Sequence, residues 1–235
     1  ASNTTGSDIV GVATVTASEG GCVSSVMSFS ITLKAEPVPA NVANIVVCAG
    51  DAVSTSFTAN TGGGEVFSWT NDNTLIGLPA SGAGNLAFNA AANTTGADIV
   101  STITVHGSKN GCTTTVANEE TFTITLRPTP VVVQQSNISA CPGSVQGAIN
   151  FTGNTDPGAS YSWSVTNFAA LGLAAGSDVT SSIPGFTFAS NTTGSDIVGV
   201  ATVTASEGGC VSSVMSFSIT LKAEPVPANV ANIVV

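Results

Sequence analysis

Apolar and polar residues alternate with a period of two along several short stretches of the chain. Residues 121–126 read TFTITL, and residues 102–105 read TITV. This period predicts half-buried β-strands that keep their threonines on the solvent face. Gly-rich turns at 107–111 and 206–209 join such strands in pairs, as in β-hairpins. Such stretches recur at short intervals without a helical pattern between them, which predicts an all-β sandwich of about seven strands per module.

The chain contains two nested repeats. Residues 1–47 recur residue for residue at 189–235, and we call this the long repeat. A weaker inner period aligns Cys48 with Cys141, so each long repeat comprises two diverged modules of about 94 residues. The boundaries predicted from this period are the C-terminal half of a module at 1–38, complete modules at 39–130 and 131–226, and the first strand of a further module at 227–235.

Short proline-rich linkers follow the last strand of each module. Residues 34–39 read KAEPVP and residues 127–130 read RPTP. Proline fixes φ and biases the preceding residue to extended geometry, so these linkers are predicted to be stiff. The Val-rich segments after them, 45–47 and 131–133, are predicted to form the first strand of the next module.

The charge of the chain argues against two classes of partner. Only 8% of residues are charged, four are Lys or Arg, and the net charge is −10. Phosphate neutralisation needs clusters of basic side chains, so nucleic acid is not an expected partner, and attraction to an anionic membrane surface is not expected either. No apolar run reaches the roughly 18 to 20 residues of a membrane span.

The five cysteines predict disulfides once the repeat is applied. Cys48 is expected to pair with Cys112, and Cys141 with Cys210, each bond joining the first strand of a module to its last hairpin. Cys22 corresponds to Cys210, so its partner would lie in the preceding repeat. Each loop of about 65 residues would contribute roughly 4 kcal/mol in the chain-entropy model. A metal site is the alternative, but there is no CxxC or Cys/His cluster to support it. Disulfides imply an extracellular setting.

Two tryptophans have both a structural and a functional interpretation. Trp69 lies twelve residues after Phe57, and Trp163 lies twelve residues after Phe151. An exposed ring could stack on sugars, but this shared spacing favours the core of a sandwich. Phe122 and Phe217, in the last strand of each module, are the further core aromatics that the pattern predicts.

The order of these landmarks resembles the PKD-like repeat, an immunoglobulin-like module strung in tandem in giant surface adhesins of gliding, type IX-secreting bacteria. The resemblance covers both modules and is most specific in 48–50 (CAG), 76–78 (IGL), 110–112 (NGC) and 127–130 (RPTP). The second module departs from it at 171–177 (LGLAAGS) and at 222–225 (KAEP). The resemblance implies a structural and adhesive role without catalytic residues.

Other chemistry-bearing residues favour structural interpretations. His106 is the single histidine, has no partner for a metal or general-base site, and is predicted to lie on a strand surface. Residues 71–73 (NDN) offer oxygens to calcium, but the remaining ligands of a loop site are absent, so a solvated loop is preferred and no cofactor is expected. Asp98 and Asp196 are expected to cap turns. The Asn-x-Thr sequences at residues 3, 93 and 191 fit both a glycosylation acceptor and a plain loop, and the plain loop is favoured.

These observations predict a non-enzymatic structural repeat of a long extracellular, cell-surface adhesin or filament. The expected partners are identical repeats of the same chain, and low charge with Ser/Thr-rich faces favours lateral packing into a homo-oligomeric fibre. The alternative is an adhesive module that recognises a surface glycan, a protein, prey or the substratum through Ser/Thr/Asn-rich loops.

Overall fold

The computed structural model describes residues 2–225 and residue 227. Strands account for 45% of the chain and helices for 4%, which confirms the all-β class. The chain forms two compact units, the first comprising 1–92 and 98–126, the second comprising 93–97 and the chain from 127 onward. The strand predicted for 227–235 lies outside the described residues, apart from Pro227.

The first unit contains one hairpin pair followed by a complete sandwich. Its strands are β1 (Ile9–Val15), β2 (Ser18–Glu19), β3 (Cys22–Val23), β4 (Met27–Leu33), β5 (Ile45–Val47), β6 (Ala52–Thr55), β7 (Val66–Asn71), β8 (Ser81–Ala83), β9 (Leu86–Asn89), β10 (Ile99–Lys109), β11 (Cys112–Thr113) and β12 (Glu120–Leu126), with single 3₁₀ turns at Thr74–Ile76 and Val116–Asn118. One sheet has the order β5-β12-β10-β7-β8, with β11 on β10, and faces the pair β6–β9. All pairs are antiparallel except β5 with β12, which are parallel.

The second unit repeats this plan. Its elements are β13 (Ile138–Ala140), β14 (Val145–Gln146), β15 (Ile149–Asn150), β16 (Ser160–Val165), α1 (Phe168–Leu171), β17 (Ser177–Asp178), β18 (Ser182–Ile183), β19 (Phe186–Thr187), β20 (Ile197–Glu207), β21 (Cys210–Val211) and β22 (Met215–Leu221). The main sheet has the order β13-β22-β20-β16-β17, with β21 on β20, and β14–β19 and β15–β18 form two further pairs. Again the first strand, β13, runs parallel to the last, β22.

The predicted hairpin between the long strands is longer and tighter than the Gly-rich sequence indicates. Strand β10 continues through Gly107 to Lys109, and the chain reverses in the two residues Asn110 and Gly111. Both have positive φ, 51° and 84°, which is the geometry of a two-residue hairpin turn. The second unit reverses in the same way at the glycine pair 208–209.

The prediction of a first strand at 131–133 is wrong. Only an isolated bridge between Val132 and Gly153 forms there, and the strand equivalent to β5 is β13. The reason is the parallel ladder, in which Val47 and Ala140, each directly before a cysteine, lie opposite the last residue of β12 and β22. A Val-rich composition favours a strand without specifying which segment joins the sheet.

Two hairpins of identical sequence differ completely in burial. Strands β1 and β4 pair in the same register as β20 and β22. Phe217 and Ile219 are 3% and 0% exposed, whereas their identical counterparts Phe29 and Ile31 are 51% and 60% exposed. In the second unit the strands from β13 to β19 supply the rest of the core. The hairpin therefore forms locally, and its burial depends on the first half of the module.

Candidate functional site

A bonded joint connects the first hairpin pair to the complete sandwich within the first unit. The joint is centred on Glu36, which is only 5% exposed. Its Oε1 accepts hydrogen bonds from the backbone N–H of Thr115 at 2.6 Å, from the Thr115 hydroxyl at 2.7 Å and from the Asn118 amide at 3.0 Å. The Ser2 hydroxyl donates to the other carboxylate oxygen. A linker residue thus holds both sides of the joint.

The hydrogen bonds at the joint stabilise the charged form of the Glu36 carboxyl. Burial by itself would raise the pKa of this group, but the hydrogen bonds from Asn118, Ser2 and Thr115 outweigh burial and lower the pKa to about 2. Glu36 is therefore ionised at neutral pH, and its bonds are charge-assisted.

A second contact at the joint is a clamp formed by Asn60. Its Oδ1 accepts the backbone N–H of Val38 at 2.8 Å, and its Nδ2 donates to the backbone oxygen of Thr4 at 2.9 Å. Gly6 has φ of +84°, and a Cβ there would lie 2.5 Å from the Asn60 oxygen, so only glycine fits. Lys34 adds a bond from its Nζ to the backbone oxygen of Asn110 at 2.8 Å.

The same clamp recurs in the second unit with equivalent residues. Asn154, which corresponds to Asn60, accepts the backbone N–H of Val131 at 2.7 Å and donates to the backbone oxygen of Thr129 at 3.1 Å. Gly96 again has positive φ, and a Cβ there would lie 2.4 Å from the Asn154 oxygen. Two occurrences in diverged modules indicate a recurring structural contact. Sequence reasoning missed it, although the matching positions of the two asparagines in the inner repeat could have revealed it.

The Asn-x-Thr sequences are buried plugs. Asn3, Asn93 and Asn191 are 3%, 1% and 1% exposed. The Nδ2 of Asn191 donates to the backbone oxygens of Ser195 at 2.9 Å and Leu221 at 3.2 Å. In all three, the side-chain oxygen accepts from the threonine two positions later. A glycan on Nδ2 would remove these donors from a buried site, so the folded chain favours the loop interpretation.

The aspartates after these loops hold the linkers. Asp8 accepts the backbone N–H of Ala35 at 2.8 Å, and Asp196 accepts the backbone N–H of Ala223 at 3.0 Å. At Asp98 the corresponding linker residue is a proline, which has no N–H to donate. The expected capping is thus present at both linkers that belong to the long repeat.

The cysteines are arranged differently from the prediction. Cys48 and Cys210 are disulfide-bonded, whereas Cys22, Cys112 and Cys141 are free thiols. The predicted bonds Cys48–Cys112 and Cys141–Cys210 are therefore wrong. Spacing alone did not reveal that the two cysteines of a module lie at opposite ends of its sheet.

The six aromatic side chains predicted for the cores all lie there: Phe57, Trp69 and Phe122 in the first unit, and Phe151, Trp163 and Phe217 in the second. The tryptophan rings are 7% and 3% exposed. The indole N–H of Trp163 donates to the Thr180 hydroxyl at 2.9 Å. Rings buried in this way offer no face to a sugar.

The remaining candidates bind other parts of the protein. His106 lies on the strand surface, with Nδ1 3.3 Å from the carboxylate of Glu119. Asp72 accepts the backbone N–H of Thr102 at 2.7 Å, and Asn71 donates to the backbone oxygen of Leu78 at 2.8 Å. Hydrogen bonds led by that from Thr102 lower the pKa of Asp72. Across residues 2–225, no group of three or more His, Cys, Asp or Glu side chains is placed to hold a metal.

Comparisons with known proteins agree with the fold. No family model and no curated protein matches the sequence. Among solved structures, the chain is similar to the IG1+IG2 fragment of DIP-gamma, with 11% identity, a TM-score of 0.43, and coverage of 81% of this chain and 99% of that one. It is also similar to domains EC3-6 of protocadherin gammaB7, with 12% identity, a TM-score of 0.44, and coverage of 92% and 68%. The chain has immunoglobulin-like β-sandwich modules, and these likenesses extend to the fold alone. None of the helices described is long and apolar enough to cross a membrane.

Proposed function

We propose that this chain is part of a long extracellular, cell-surface adhesin or filament, in which tandem modules form a stiff stalk. The observation that carries the proposal is the joint at Glu36, where a linker carboxylate with four hydrogen bonds fastens one module to the next. A flexible tether would leave this linker in water. The long repeat and the resemblance to PKD-like repeats of type IX-secreted adhesins support the same interpretation.

The proposed modules span 39–130 and 131–226, with half a module at 1–38 and the start of another at 227–235. The compact units divide the chain slightly differently, because the loop 93–97 groups with the residues from 127 onward. This grouping agrees with a stalk in which the loop at the end of one module serves as the seat of the next.

Lateral assembly into a multi-chain fibre is the second part of the proposal. The outward face of β20 carries Val198 and Val200, which are 46% and 43% exposed. Threonines and serines surround them, and few charges oppose close approach of two such faces. Identical repeats of further chains are the proposed partners.

Electron microscopy of the native assembly on the cell surface tests both parts. We expect straight rods with a regular module spacing and several chains side by side. Isolated, freely bending single strands would contradict the stalk and the fibre together, and straight single rods would contradict only the fibre.

Recognition of a glycan or protein by Ser/Thr/Asn-rich loops is the alternative. Quenching of tryptophan fluorescence by acrylamide separates it in part, because an aromatic sugar platform requires an accessible ring. With both rings buried, we expect weak quenching and no change in emission on adding oligosaccharides.

A further inference from the structure

The two cysteines of the first complete module lie at opposite ends of its main sheet. Cys48 follows β5, whose last residue lies opposite Leu126, which in turn lies opposite Ile99 at the start of β10. Cys112 lies opposite Lys109 at the end of β10. About ten residues of extended strand separate these levels, or about 33 Å at roughly 3.3 Å per residue. A disulfide requires Cα atoms within about 7 Å, so no bond forms inside the module.

The second module has the same geometry. Cys141 follows β13, whose last residue lies opposite Leu221 and therefore at the level of Ile197 in β20. Cys210 lies opposite Glu207, at the other end of β20. We call the end where β12 or β22 finishes the exit pole, because the chain leaves the module there. The end that carries β11 or β21 is the entry pole. Each module thus has one cysteine at each pole.

The first unit shows which residues adjoin the cysteine of an entry pole. One cleft there is lined by Cys112 together with Asn3, Leu33 and Lys34. Leu33 ends β4 and is the counterpart of Leu221 in the identical repeat, which places it at the exit pole of the preceding module. In a complete module this pole carries the cysteine that follows the first strand. An entry-pole cysteine therefore faces the exit-pole cysteine of the module before it.

We propose that the disulfides of this chain join consecutive modules, linking the exit-pole cysteine of one to the entry-pole cysteine of the next, which pairs Cys48 with Cys210. The inference rests on the tandem arrangement proposed above. The sulfur states agree with it, since these two cysteines are bonded and Cys22, Cys112 and Cys141 are free. The partner of each free thiol would be supplied by a neighbouring repeat.

Bond formation needs a two-electron oxidant, and glutathione disulfide is a suitable one. The thiolate of one cysteine attacks a glutathione sulfur and releases the first glutathione thiolate. The second cysteine then attacks the mixed disulfide and releases the other glutathione. Two protein thiols and one glutathione disulfide become one protein disulfide and two glutathione thiols.

This linkage would limit how far the stalk can be stretched. A bond from Cys48 to Cys210 shields the segment between them from tension and leaves only the two flanking segments, roughly 70 residues together, to extend. At roughly 3.5 Å per residue, full unfolding then extends the chain to about 250 Å, against about 820 Å after reduction. Bonds within modules would leave roughly 100 residues under tension and allow an extension of about 350 Å.

Peptide mapping of the whole chain, refolded with glutathione disulfide and alkylated without reduction, tests the pairing. Cleavage after Lys34, Lys109 and Lys222 and after Glu65, Glu119 and Glu207 places all five cysteines in separate peptides. We expect one linked pair, 35–65 with 208–222, and alkylated Cys22, Cys112 and Cys141. A pair containing Cys48 with Cys112, or Cys141 with Cys210, would overturn the proposal.

Force spectroscopy is a second measurement that keeps this result separate from the proposed assembly. The oxidised chain should extend to about 250 Å at full unfolding, because only the flanking segments bear tension. The double variant Cys112→Ser/Cys141→Ser should match it. An extension of about 350 Å in the oxidised wild type, as bonds within modules would allow, would refute the linkage. Neither mapping nor pulling requires a fibre, so absence of lateral assembly leaves this outcome unchanged.

Discussion

Replacing Glu36 by alanine removes the acceptor on which the joint between the first hairpin pair and the sandwich depends. The carboxylate accepts the Thr115 N–H and hydroxyl and the amide of Asn118, with Ser2 on the other oxygen. Hydrogen bonds to a charged group contribute about 1.5–3 kcal/mol each, and some of these donors can turn to water after truncation. We therefore expect a local loss of about 2 kcal/mol at the joint.

Hydrogen exchange of the Thr115 amide measures this loss directly. A loss of about 2 kcal/mol corresponds to roughly 30-fold faster exchange, since about 1.4 kcal/mol is a factor of ten. The matched control is Glu224→Ala. Glu224 lies in the same KAEPVP sequence, so the control makes the same chemical change without touching Thr115. Equal exchange in the two variants, or no change in either, would refute the role assigned to Glu36.

The same network has a pH dependence with a definite sign. The folded-state pKa of Glu36, about 2, lies below its ordinary value of 4.5. The stabilisation is therefore fully present above the ordinary pKa and is lost as the pH falls toward about 2. The difference in Thr115 exchange between wild type and Glu36→Gln should accordingly shrink over that range. A difference that stays constant throughout it would show that the carboxylate charge does not contribute.

Three further substitutions test the packing. Phe217→Ala should cost about 3–5 kcal/mol in urea unfolding, whereas the identical change at the exposed Phe29 should cost under about 1 kcal/mol; similar costs would contradict the difference in their burial. Gly82→Ala would place a Cβ 2.2 Å from the Trp69 ring, so we expect a loss of about 1–3 kcal/mol with a red-shifted emission, and unchanged fluorescence would be inconsistent with this contact. Asn191→Ala leaves two buried backbone oxygens without their donor and should cost about 2 kcal/mol in thermal unfolding, whereas Asn191→Asp should not restore the loss.

The strands were predictable because their pattern has a direct geometric cause. In residues 121–126 every second side chain is apolar, and Phe122, Ile124 and Leu126 are 2%, 0% and 0% exposed. A strand places alternate residues on opposite faces whatever its neighbours are. The fold class followed from this local property, together with the Gly-rich turns that bring strands into hairpins.

The disulfides were not predictable from spacing, because spacing does not report direction across a sheet. A bond from the first strand to the last hairpin seemed natural, but the first strand is parallel to the last one and therefore ends at the exit pole. The eleven-residue strands β10 and β20 then carry the hairpin cysteines to the other end. Parallel pairing between distant segments is a tertiary property without a local signal.

The exact repeat separates what sequence determines from what tertiary structure decides. Residues 9–33 and 197–221 are identical, and both form the same hairpin with the same register, because turn residues and period-two alternation act locally. Yet Val203 is 1% exposed and its counterpart Val15 is 53% exposed. Burial depends on the strands that cover a face, so only the tertiary structure decides which residues form a core, which carboxylate is enclosed and which cysteine meets a partner.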